Sequence, residues 1–262
     1  MLERFRQAKQ AEIQALLAQE SKRQLPPPFS GPRPSLIQAL REQAPGAVIA
    51  EYKRASPSRG LINARWTPSQ AAAGYARAGA AALSVLTEET YFQGSLDFLK
   101  VMAEPGLPLL RKDFLLHPVQ VRRTAATPAA ALLLIARMLS KNELESMLAT
   151  CRKYALEAVV EVFDRADLDK AQAAGATLIQ VNNRDLDRLT TDLRISQDLI
   201  RFQSQGEVWI SASGMNSAED MARMRDAGYH GLLIGSRLMQ EHDPGQTLAE
   251  LLRAMPKEPI HG

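Results

Sequence analysis

The 262-residue chain carries 32 Lys and Arg against 29 Asp and Glu, a formal net charge of +3, with 45% hydrophobic and 23% charged residues. This is globular composition, which excludes a disordered chain, and the longest apolar run, residues 129–136, is far too short to span a bilayer. Aromatics at 5% and the absence of a clustered basic stripe argue against a nucleic-acid binder, and the single cysteine, Cys151, excludes an intrachain disulfide. Glu3, Arg4, Arg6 and Lys9 are not the start of a secretory signal, so a reducing, cytoplasmic setting is expected.

Residues 2–20 place Leu2, Phe5, Ile13, Leu16 and Leu17 on an apolar stripe between charges and predict a helix. Pro26, Pro27 and Pro28 end it in an extended connector, and Ser35 is the cap of a short second helix through Leu36 and Leu40. No strand pattern occurs before residue 47, so residues 1–45 are expected to form a helical extension and 46–262 the main domain.

Eight short runs of branched apolar residues follow, at 48–53, 82–86, 108–112, 132–135, 158–162, 178–182, 208–213 and 232–235. Amphipathic helices separate them, announced by Thr67-Pro68, by the capping box Ser140 to Glu143, and by Asp164 and Ser217. Ala-Gly pairs at Gly79, Gly175 and Gly228 repeat the passage from helix to buried parallel strand. Before the fourth strand Pro128 stands in the corresponding place, and that helix must end differently. Eight such units predict an α/β fold of the (β/α)8 TIM-barrel type, and no G-x-G-x-x-G follows the first strand to suggest an open dinucleotide-binding sheet.

Chemistry in such barrels sits at the C-terminal strand ends. Side-chain alternation directs Glu51 and Lys53, Lys112, Glu161, and Asn182 to one mouth, and four charges at inward parity on three strands point to acid–base work. Tyr52 and Arg111 have the opposite parity and are expected to be packing and solvent residues. Asn183 is either a turn residue or functional. His117, His230, His242 and His261 lack ligand spacing, so no metal is expected, and Cys151 fits a core position. Ser213-Gly214 and Gly235-Ser236, after strands seven and eight, fit a phosphate grip, with a short helix starting at Ser236.

The segment Ile49-Ala-Glu-Tyr-Lys-Arg-Ala-Ser-Pro-Ser-Arg-Gly60 resembles the signature of the indole-3-glycerol-phosphate synthase family. Ser84-Val-Leu-Thr-Glu-Glu89, Tyr91-Phe-Gln-Gly-Ser95, Leu110-Arg-Lys-Asp-Phe114, Val160-Glu-Val162 and Asn182-Asn-Arg-Asp-Leu186 extend the likeness along the chain. The resemblance implies an enzyme of tryptophan biosynthesis, a decarboxylating carbon–carbon lyase that needs no cofactor. It would convert 1-(2-carboxyphenylamino)-1-deoxyribulose 5-phosphate to indole-3-glycerol phosphate, CO2 and water. It implies that Lys112 is the general acid and Glu161 the general base, with Glu51, Lys53 and Asn182 positioning substrate. It further implies substrate contacts at Ser56, Phe92, Phe114, Arg184 and Ser213, and phosphate contacts at Gly214, Gly235 and Ser236. The expected partner is a small phosphorylated substrate, with no nucleic acid or membrane; protein partners are unknown. A paralogue that acts on a shifted substrate, or only binds a phosphorylated ligand, is the alternative.

The chain departs from the family pattern at Ala212, where a Glu is usual, and at Gln180, where a Gly is usual. It also has Arg123-Thr124 for Glu-Ala and Pro128-Ala-Ala-Ala131 for Gly-Ala-Asp-Ala. Gln180 is expected either to fill space beside Ala212 or to bond elsewhere within the barrel. The lost carboxylate is expected to move the pKa values of Lys53 and Lys112 downward.

Overall fold

A computed structural model describes residues 2–57, 59–185 and 190–256. Ser58, Leu186 and His261 lie outside the described residues. The barrel strands are β1 (Ala47–Tyr52), β2 (Ala82–Leu86), β3 (Leu109–Lys112), β4 (Ala131–Ile135), β5 (Glu157–Val162), β6 (Leu178–Asn182), β7 (Val208–Ala212) and β8 (Gly231–Ile234). Each pairs in parallel with its chain neighbours, and β8 pairs with β1 to close a (β/α)8 barrel. Each observed strand lies within about two residues of its predicted bounds, as element ends usually do.

Alternation sorts the strand residues into two layers. Outward side chains such as Val48, Leu83, Leu132, Val160, Ile179 and Trp209 pack under the helices. Inward ones, including Ile49, Leu110, Leu133, Val159, Leu178, Ile210 and Leu233, fill the barrel. The helix starts are as expected: Thr67, Ser140 and Ser217 form capping boxes, and the Asp164 carboxylate accepts from the Asp167 amide. Gly79, Gly175 and Gly228 have φ of 96°, 83° and 99°, the left-handed conformation that closes the preceding helix without a Cβ clash.

Two helices precede the barrel, α1 (Leu2–Ser21) and α2 (Leu36–Glu42). α2 covers the N-terminal end of the barrel. Leu36 and Leu40 join the interior cluster, and the Glu157 carboxylate at the foot of β5 accepts from the Leu36 amide at 2.7 Å. That carboxylate also complements the partial positive charge of the α2 N-terminus. The helix Pro118–Ala125, which lacks a closing glycine, is capped from a distance: Arg33 donates to the carbonyls of Ala125 and Thr127, and the Phe29 amide donates to Ala125.

Arg111 corrects the sequence expectation. It does not face solvent but is buried, because α1 and the helix Pro118–Ala125 cover the outer face of β3. Its guanidinium donates to Asp113 at 2.8 Å and to Thr124 at 2.8 Å, and Lys9 of α1 pairs with the same Asp113 at 2.7 Å. Burial opposes the Asp113 charge, yet Arg111 and Lys9 outweigh it and hold the carboxyl below its usual range. Thr124, one of the departures from the family pattern, is thus the hydroxyl partner of Arg111. Asp113→Ala would leave Lys9 and Arg111 to share Glu12 as their remaining carboxylate, so a loss of about 2–4 kcal/mol is expected in urea unfolding. A loss below about 1 kcal/mol would show that the cluster is hydrated and weak.

Candidate active site

The C-terminal mouth of the barrel opens into a cavity of about 480 Å³. Glu51, Lys53, Ser56, Phe92, Lys112, Phe114, Glu161, Asn182, Arg184, Ser213, Gly214, Gly235 and Ser236 all line it, so the structure brings every sequence-selected site residue together.

Glu51 is the centre of the charge cluster. It lies at the inward end of β1, almost fully buried, with Lys53 Nζ 2.8 Å from Oε1 and Lys112 Nζ 3.6 Å from Oε2. Burial pushes its pKa up, but the two lysines pull harder and bring it down to about 2. For Lys112, burial lowers the pKa, whereas Glu51 and then Glu161 raise it, and the net shift is upward. The downward shift expected for Lys112 from the loss of a carboxylate at position 212 is therefore not found. Glu51 and Glu161 supply enough negative charge without it.

Lys53 Nζ also reaches Ser236 Oγ at 3.1 Å, so β1 is tied to the loop after β8. Gly235 in that loop is required by close approach: a Cβ there would lie 2.3 Å from Glu51 Oε1. In the loop after β7, Ser213 and Gly214 have successive positive φ values of 68° and 88°. A serine in this conformation is strained, and Asn183 holds it there by donating Nδ2 to the carbonyls of Ala212 and Ser213 at 3.1 Å each. Asn183 is therefore a buried staple rather than a plain turn residue. Asn182, by contrast, faces the mouth, and its Oδ1 accepts from the Arg184 amide at 3.0 Å. The predicted short helix spans Ser236–Met239.

The opposite wall is aromatic. Phe5 of α1 stacks on Phe114 with ring centroids 4.1 Å apart, and Phe92 lies 6.1 Å from Phe114. The Glu88 carboxylate accepts from the Tyr91 and Phe92 amides and so shapes the loop that presents Phe92. Sequence reasoning missed Leu2 and Phe5, which line the cavity from α1. Their stripe on α1 marks them as buried, but nothing local says against what. Arg59, in the turn just before the second arm (Gly60–Leu61) of the small antiparallel hairpin after β1, adds a cation at the rim.

Of the two arrangements expected for Gln180, the structure shows the one in which its side-chain amide bonds elsewhere within the barrel. Nε2 donates to Glu161 on the neighbouring strand β5 at 2.5 Å. Tyr52 is a packing residue as expected, buried with its hydroxyl on the Trp66 carbonyl, and Cys151 is buried in the outer core. Among the described residues no group of His, Cys, Asp and Glu could hold a metal ion, and no helix is long and apolar enough to cross a membrane.

Residues 2–251 match the family model for indole-3-glycerol phosphate synthase. The chain is 46% identical to the indole-3-glycerol phosphate synthase of Carboxydothermus hydrogenoformans, over 83% of this chain and 84% of that protein. It is 41% identical to that of Desulfosudis oleivorans, over 93% and 90%. It is 37% identical to that of Desulforamulus reducens, over 97% of both. A solved mandelate oxidase structure aligns with a TM-score of 0.61 at 17% identity, covering 79% of this chain and 72% of that one, a likeness of fold alone. The chain belongs to the indole-3-glycerol phosphate synthase family.

Proposed function

We propose that this site closes the indole ring of 1-(2-carboxyphenylamino)-1-deoxyribulose 5-phosphate, releasing CO2 and water to give indole-3-glycerol phosphate. The observation that carries the reading is the placement of Lys112 between two carboxylates, Glu51 and Glu161, in a mouth with phenylalanines on one side and glycine-serine loops on the other. The aryl ring suits the Phe5, Phe92 and Phe114 wall, and the phosphate suits the backbone amides of Gly214, Gly235 and Ser236.

In the first half, the ring carbon bearing the carboxylate attacks the ketone carbon, and Lys112 gives a proton to the oxygen that becomes a hydroxyl. A lysine held protonated by two carboxylates is suited to donate there, with Lys53 as a second donor near the same oxygen. Loss of CO2 then leaves its electron pair in the ring and restores aromaticity. In the second half the nitrogen lone pair expels the hydroxyl, which leaves as water with a proton from a lysine, and the methylene carbon beside nitrogen loses the proton that Glu161 takes, so the ring double bond forms and the indole N–H is kept. Asn182, Ser56, Arg184 and Ser213 hold the substrate in the reacting geometry.

Residues 1–45 act as a helical extension to the barrel of residues 46–262, supplying Phe5 to the aryl wall. The site needs no metal or organic cofactor for this chemistry, and its expected setting is the cytoplasm. Steady-state turnover of the substrate, followed by indole fluorescence, tests the reading. Saturable formation of indole-3-glycerol phosphate is expected, with inorganic phosphate competing. Tight binding of the substrate without product would instead support a paralogue that only binds. Turnover confined to analogues with altered aryl groups would favour a shifted substrate.

A further inference from the structure

We propose that Gln180 is a positioning residue of this site, holding the Glu161 carboxylate in its working orientation from beneath the cavity floor. The inference rests on the role proposed above for Glu161. Gln180 is an inward residue midway along β6, fully buried, and absent from the cavity lining. It therefore cannot act on a substrate directly. Its cross-strand neighbour on β5 is Glu161, and its Nε2 donates to Glu161 Oε2 at 2.5 Å. Lys112 acts on Glu161 only through its charge, and Asn182 Oδ1 is taken by the Arg184 amide. Among the described residues, the hydrogen bond on the Glu161 carboxylate comes from Gln180.

A second observation shows that the amide is not there for packing. Gln180 Oε1 is buried and has no hydrogen-bond partner among the described residues. A buried acceptor left unmatched is destabilising, whereas an apolar side chain of the same length would fill the volume without that cost. Ala212, on the neighbouring strand β7, contributes only a methyl group. The amide N–H is thus retained at a cost in stability, and its one use is to fix Glu161. The bond engages Oε2 and leaves Oε1 outside it, while Glu161 itself lines the cavity, so one carboxylate oxygen stays open to act as a base.

The test replaces the donor without the shape. Gln180→Met should lower kcat about 10- to 100-fold, the range spanned by a hydrogen bond to an ionised group, and leave KM within about threefold. Its urea midpoint reports the balance between the orphaned Gln180 acceptor removed and the buried Glu161 carboxylate left without its donor, and cooperative unfolding shows that the fold is intact. Gln180→Leu and Gln180→Gly are two further donor-free variants, so one that unfolds cooperatively suffices for the measurement. The deciding step is a double-mutant cycle: in a Glu161→Gln background, Gln180→Met should cost nothing further. Retained kcat in the donor-free variants, or an undiminished loss in the Glu161→Gln background, would overturn the proposal while leaving the role of Glu161 intact. A Glu161→Gln enzyme with normal kcat would overturn the role of Glu161 itself, and with it the positioning role of Gln180.

Discussion

Lys112→Ala is expected to lower kcat by about 10²- to 10⁴-fold, the usual contribution of a positioned acid or base, with a smaller change in KM. Lys112 is the cation that both carboxylates of the mouth act upon, and their attraction outweighs its burial and keeps it charged above the ordinary lysine range. Steady-state kinetics on the purified variant measure the effect, and a normal kcat would reduce Lys112 to a salt-bridge residue. The same electrostatics fix a pH dependence. Activity that needs protonated Lys112 persists into alkaline solution and falls as pH rises through its raised pKa. Glu51→Gln removes the largest attraction on Lys112, so the alkaline limb of the kcat profile should move to lower pH. On the acid side the Glu51 pKa is about 2, below its usual 4.5. The stability supplied by the ionised cluster is therefore complete above about pH 4.5 and disappears as pH falls toward 2.

Gly235→Ala should be nearly as damaging although it removes no functional group. The added methyl would lie 2.3 Å from Glu51 Oε1 and 2.9 Å from Glu51 Cβ, and the latter is fixed to the strand backbone. Glu51 must therefore move, and Lys53 and Lys112, both paired to it, lose their registration. Misplacement by about 1 Å costs on the order of 10²-fold in rate, so a fall in kcat/KM of that size is expected. Because Gly235 also belongs to the phosphate grip, inhibition by inorganic phosphate should weaken in parallel. Unchanged kinetics would mean that Glu51 can relax freely and that the tight approach has no catalytic meaning.

Much of this was legible in the sequence because the signals were local. Period-two alternation at Ile49, Glu51 and Lys53, or at Gln180 and Asn182, reports which face a side chain takes without any tertiary knowledge. Capping residues such as Thr67, Ser140 and Ser217 announce helix starts, and Gly79, Gly175 and Gly228 announce their ends. Arg111 was misread because parity separates the barrel interior from its exterior but not exterior from solvent. The chain had to fold α1 over β3 before that position became buried. Phe5 was missed for the same reason, since its partner Phe114 is more than a hundred residues away. The direction taken by the Gln180 amide also depended on which neighbouring strand offered an acceptor, and only barrel closure decides that.

The most direct measurement is a single turnover with enzyme in excess, using substrate labelled with ¹³C in its carboxylate and following labelled CO2 and indole product together. The account predicts one labelled CO2 for each indole-3-glycerol phosphate formed by the parent enzyme, and loss of both products on the same slow time scale in Lys112→Ala. Substrate bound stoichiometrically with neither product formed, or CO2 released at the normal rate by Lys112→Ala, would contradict it.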